Sequence, residues 1–258
     1  FISFGSLVTV VNAIDGFVLP IKINVSYQSQ NVMKKSYHLD ESENLVYDDY
    51  WKYNENIKNI IIDNNNKVVE EYDYKFDVSD NDNGKVLAYL VKNTEDQNFY
   101  DLYLVSDGIV YMNQDASNYF YNMKYLDNII NFEGMSSSLV TDMTNMFSYT
   151  SYNNDSFNID LSVLDTSNVS NMSYMFNKAC YNCSEFEMDI SGFDTSKVEN
   201  MRGMFAATAY SSSSFDLKLE NLDTSNVTDM SYMFNNMAYK TTDFDIDLSS
   251  FNTSKVVD

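Results

Sequence analysis

Two hydrophobic periods alternate along the second half of the chain. At Phe157, Ile159 and Leu161 apolar residues alternate with Asn158, Asp160 and Ser162, the period of two of a half-buried strand. A few residues on, Val169, Met172, Met175 and Phe176 fall at i, i+3, i+6 and i+7, one face of a helix. Between them Asp165-Thr166-Ser167 supplies the residue types that cap a helix N-terminus. The pattern returns at Phe186–Phe205 and Phe215–Phe234 and begins again at Phe244. Val140, Val169, Val198, Val227 and Val256 are each 29 positions apart, as are Met143, Met172, Met201 and Met230. A period this regular signals stacked repeats. Parallel strands are therefore predicted at 157–161, 186–190, 215–219 and 244–248, with helices near 168–178, 197–207 and 226–236. The Val, Met and Phe columns form the core, Met being suited to irregular gaps. Helical crossovers between parallel strands are right-handed in nearly all cases, so the fold class is an α/β right-handed solenoid with one parallel sheet.

D-T-S-N-V-S-N-M-S-Y-M-F and D-T-S-N-V-T-D-M-S-Y-M-F resemble the repeat of the BspA-type leucine-rich-repeat surface proteins of bacteria, in a long, 29-residue form. The likeness covers roughly 117–258. It implies a leucine-rich-repeat-like solenoid, a secreted or cell-surface location, and adhesion or host-matrix binding. It supplies no catalytic residues.

The first half is less regular. Residues 1–13 fit the tail of a signal peptide, Val11-Asn12-Ala13 matching a cleavage pattern; an ordinary strand at Leu7–Val11 followed by an Asp15-Gly16 turn is the alternative. No pattern assigns 14–50. Residues 51–116 read as a small antiparallel β meander that leads into the repeats. Within it, Tyr72–Val78 and Lys85–Val91 flank a turn at 80–84, and Phe99–Val105 and Ile109–Asn113 flank the tight-hairpin signal Asp107-Gly108. Ser117–Phe132 is a degenerate first repeat, of the atypical kind that caps a repeat array. The last repeat stops at Val256-Val257-Asp258, so a longer natural chain is expected.

A formal charge of −22 over 258 residues argues against nucleic acid, which needs a basic surface. It favours basic partners or cations. No segment is long and apolar enough to span a membrane. No phosphate loop, zinc-protease or serine-hydrolase motif is present, and a lone histidine, His38, reads as solvated. Cys180-Tyr181-Asn182-Cys183 reads as a local disulfide or two idle thiols. No cofactor and no enzymatic activity are expected. The outward strand positions form two columns, Asn158, Glu187, Asp216, Asp245 and Asp160, Asp189, Lys218, Asp247. Like charges on neighbouring strands repel, so this face is either a solvated acidic surface or a site for a basic protein, with weak calcium binding. The loop column Tyr152, Tyr181, Tyr210 and Tyr239 is the second candidate surface. The leading reading is a protein-binding or adhesion module. A structural spacer that presents another domain is the alternative, and a carbohydrate-active enzyme a distant third.

Overall fold

Left-handed residues recur inside the segments expected to be helical. The structure, a computed structural model, describes residues 8–14, 17–23 and 31–257. In successive repeats φ is positive at Asn145 and Tyr149, Tyr174 and Lys178, Gly203 and Ala207, and Tyr232 and Asn236. An α-helix has no place for such residues. The backbone instead runs through tight turns, with the Met146 amide donating to the Met143 carbonyl and Thr150 to Phe147. The intervening amides point sideways. Those of Met143, Asn145, Phe147 and Tyr149 donate to the carbonyls of Asn171, Ser173, Met175 and Asn177 in the next repeat. Met172, Tyr174, Phe176 and Lys178 do the same towards Asn200, Arg202, Met204 and Ala206.

This overturns the α/β leucine-rich-repeat solenoid of strand–helix units. The segments 168–178, 197–207 and 226–236 are chains of turns, and the described structure consists mainly of mixed sheets and turns. The three-residue spacing of Val169, Met172 and Met175 fits a turn closed from i+3 to i as well as a helical face. The sideways amides are what decide between them. The Asp-Thr-Ser run caps no helix either. Asp165 Oδ1 accepts from the Ser167 amide and hydroxyl, and the buried Thr166 hydroxyl donates to the Asp194 carbonyl of the next repeat at 3.1 Å. Thr195 and Thr224 repeat that bond.

In chain order the strands are β1 (Val8–Ile14), β2 (Phe17–Ile23), β3 (Asn31–Val32), β4 (Tyr37–Leu39), β5 (Leu45–Tyr47), β6 (Ile57–Asp63), β7 (Tyr74–Asp77), β8 (Val86–Lys92), β9 (Tyr100–Ser106), β10 (Val110–Tyr111), β11 (Asn128–Ile130), β12 (Met135–Ser136), β13 (Glu185–Asp189) and β14 (Ser214–Lys218). A 3-10 helix spans Asp49–Asn56. β1 and β2 pair antiparallel; residues 1–7 of the signal-peptide reading lie outside the described residues. β13 and β14 pair in parallel, Phe186 against Phe215, whereas 157–161 and 244–248 form no strand.

The segment before the repeats is not a simple antiparallel meander. Its five-stranded sheet has the order β11-β6-β9-β8-β7. β7, β8 and β9 are antiparallel, while β6 runs parallel to β9 and β11 parallel to β6. The Asp107-Gly108 turn closes no hairpin, because β10 leaves for a second sheet and pairs in parallel with β3 and β12. Asn64 draws the chain aside here: its carbonyl accepts from the Gly108 amide, and its side chain donates to the Gly108 carbonyl.

The N-terminal part also terminates the repeat stack. The first repeat has carbonyls at Ser117, Tyr119 and Tyr121 where later repeats have Thr144, Met146 and Ser148, which accept from the preceding coil. Three side chains replace that missing coil. Ser36 Oγ reaches Ser117 at 2.6 Å, Trp51 Nε1 reaches Tyr119 at 3.1 Å, and Asn54 Nδ2 reaches Tyr121 at 2.7 Å. Behind this cap one core runs the length of the stack. Phe120, Phe147, Phe176 and Phe205 are buried and stack ring on ring at 4.9 to 5.7 Å.

Two outcomes are expected from this packing. Met201 is fully buried between Met172 and Met230, so Met201→Asp should cost several kcal/mol, much of a total near 5–15 kcal/mol; a thermal melt checks it. Asn54→Leu removes the Tyr121 cap and strands a carbonyl, costing about 1–3 kcal/mol. Amide exchange should then quicken first in residues 118–122.

Candidate functional site

β13 and β14 place alternate residues on one open face. Glu187 lies directly across from Asp216, and Asp189 across from Lys218. The like-charged pair is relieved by Lys218, whose ammonium sits 3.5 Å from Glu187 and 3.8 Å from Asp216. Asp216 and then Glu187 hold the Lys218 pKa above its ordinary value. Asn158, Asp160, Asp245 and Asp247 are exposed as well. Asn158 borders a polar depression of about 540 Å³, together with Tyr125, Asn153 and the Lys58–Asp127 ion pair.

The second acidic column does a structural job that the charge pattern alone does not reveal. Asp160 Oδ1 accepts from the amide and hydroxyl of Ser162, Asp189 does so from Ser191, and Asp247 accepts from the Ser249 amide. These hydrogen bonds hold all three carboxyls below their ordinary pKa, the Ser162 and Ser191 hydroxyls leading at Asp160 and Asp189, the Ser249 amide at Asp247. Asp194 and Asp223 close the same turn with Ser196 and Ser225. The signal was the D-x-S spacing, visible at D-L-S, D-I-S and D-T-S. The first column (Glu187, Asp216 and Asp245) carries no such turn.

The tyrosine column is a stack. Tyr152, Tyr181, Tyr210 and Tyr239 follow one another at 4.8, 4.6 and 4.9 Å with rings within 8° of parallel. Each pair contributes about 0.5–1.5 kcal/mol beyond its burial. Ring faces are mutually covered, so edges and hydroxyls face solvent, and Tyr239 alone of the four is largely exposed, at 64%. Cys180 and Cys183 in the same loop column are joined in a buried disulfide. His38 is exposed and meets Asp48.

Among the described residues no three His, Cys, Asp or Glu side chains converge to hold a metal ion, and Asp216, Asp245 and Asp247 belong to no such group. No helix there is long and apolar enough to cross a membrane. A family model described as "Mycoplasma protein of unknown function, DUF285" matches residues 114–238 and 180–258, which is the repeat region just described. The chain belongs to the DUF285 family. No curated protein and no solved structure matches it. The DUF285 region thus contains both the acidic columns and the tyrosine stack.

The turn-closing aspartates tie stability to pH. Their folded pKa values lie below the ordinary value near 3.9, so their contribution is complete above about pH 4 and is lost as pH falls through the folded values. Replacing Ser162 and Ser191 by Ala removes the hydroxyl donors and raises those pKa values. The acid-unfolding midpoint, followed by circular dichroism, should move to higher pH.

Proposed function

We propose that this DUF285 chain is a non-catalytic protein-binding module that acts in adhesion at a bacterial cell surface or after secretion. The resemblance of its repeat to BspA-type surface proteins supports the reading. The observation that carries it is the first acidic column. Glu187, Asp216 and Asp245 are exposed and recur one per repeat, and they close none of the turns that hold Asp160, Asp189 and Asp247. A row of carboxylates at repeat spacing suits a lysine- or arginine-rich protein, steering its approach and setting its register. Divalent cations are at best weak competitors, since side chains on one open face do not wrap an ion.

The test is a triple variant, Glu187→Gln, Asp216→Asn and Asp245→Asn, measured against a panel of extracellular-matrix proteins. Three exposed ion pairs at roughly 0.5 kcal/mol each amount to about 1.5 kcal/mol, or about tenfold in affinity. The loss should be greatest at low salt. Unchanged, salt-independent binding would move the contact to the Tyr152, Tyr181, Tyr210 and Tyr239 edge. Absence of saturable binding would favour a spacer.

A further inference from the structure

The β4–β5 hairpin borders a second, chemically different site. Beside it an open groove of about 340 Å³ runs along the turn face of the first repeats, at the small end of ligand-sized sites. Tyr47 lines it from the hairpin, and Asn118, Tyr121, Asn145, Tyr149 and Tyr174 line it from the repeats. No lining residue is charged, in a chain of net −22. Burial pushes the Tyr47 phenol up to about 12 and raises Tyr121 too, so both hydroxyls remain protonated donors at neutral pH.

The aromatic surfaces are set at fixed angles. Tyr47 stacks on Tyr121 at 5.9 Å and 13°, and Tyr121 meets Tyr149 edge-on at 76°. Lys178 Nζ and Arg202 Nε bond the hydroxyls of Tyr149 and Tyr174, each at 2.9 Å, and thereby orient those rings. Asn118 is only 4% exposed, yet its side-chain amide has no hydrogen-bond partner among the described residues. The Asn145 amide, at the equivalent turn position one repeat on, is also unpaired there. Neither amide is shut off from solvent, so water meets both in the open groove and a ligand hydroxyl can take its place.

We propose that this groove binds an uncharged saccharide. A sugar hydroxyl both donates and accepts, and so does a carboxamide. The electron-rich face of a tyrosine ring receives the polarised C–H face of a pyranose. A cationic ligand would meet no carboxylate among the lining residues, and Lys178 and Arg202 are already engaged by tyrosine hydroxyls. This proposal stands apart from the acidic-column reading, since it uses different residues and needs no charge.

The experiment probes the whole chain on an array of glycans ending in neutral hexoses or N-acetylhexosamines, with sialylated and uronic-acid glycans alongside. Asn118 and Asn145 have left-handed backbone, which Asp tolerates, so Asn118→Asp and Asn145→Asp remove amide donors without forcing the turn. Tyr174→Asn removes a ring at another left-handed position. Neutral-glycan binding should fall by about tenfold or more in each variant that stays folded, with any drop in melting temperature measured alongside. It should persist in the variant with Glu187, Asp216 and Asp245 neutralised. The inference is overturned by no neutral glycan binding, by binding confined to acidic glycans, or by binding that the folded groove variants retain. Should Asn118→Asp fail to fold, the other two decide.

Discussion

The sideways hydrogen bond sets this structure. Alternate amides in each turn segment have no partner within their own coil and must find carbonyls in the next. The Met172 amide, for instance, reaches Asn200, and the Met201 amide reaches Asp229. A buried amide left unpaired is expensive, so neighbouring coils are locked in one register. From the second repeat on, side chains then sit above counterparts 29 residues away, as Phe147, Phe176 and Phe205 do. The tyrosines stack at 4.6 to 4.9 Å, close to the spacing of hydrogen-bonded strands. The stacks are consequences of that register. Left-handed φ at Tyr174, Lys178 and Ala207 is the conformational cost that the inter-coil bonds offset.

The same rule explains the N-terminal cap. A coil stack begins with a row of unused carbonyls, and Ser36, Trp51 and Asn54 each fill one. Trp51, the chain's single tryptophan, is well suited because its indole is apolar except for one donor. It fills the end of the core and satisfies the Tyr119 carbonyl at once.

The repeat period was legible because the Val, Met and Phe columns are spaced without a slip. The turn conformation was not, since i, i+3 and i+6 spacing is common to a helix and to successive tight turns. Asn145, Gly203 and Asn236 were the residues that could have warned against a helix, each being a type that tolerates left-handed φ. The acidic columns are visible as charges, but charge alone does not show that the D-x-S spacing gives Asp160 and Asp189 a structural task. Asp107-Gly108 looked like a hairpin because the Asn64 contact that turns the chain aside lies 44 residues away. The groove was illegible for the same reason: Tyr47 and Tyr121 meet only after the chain has folded.

The two proposed contact surfaces both follow from one repeat. Equivalent positions on successive coils, Glu187, Asp216 and Asp245, repeat a carboxylate and so build a field that adds up over coils and reaches about 8 Å at physiological salt. Such a surface selects by charge and spacing more than by shape. The turn face changes residue from coil to coil, with Asn118, Asn145, Tyr174 and Gly203 at equivalent positions, and so cannot build a uniform row. At Gly203 an added Cβ would strike the Tyr174 ring, the nearest atom being 2.3 Å away. The side chain of one coil thus leans over the backbone of the next. Variation along an otherwise regular stack is what turns a ladder into a local pocket. On the readings proposed above, the acidic face would therefore act at long range and the tyrosine–asparagine groove would read shape.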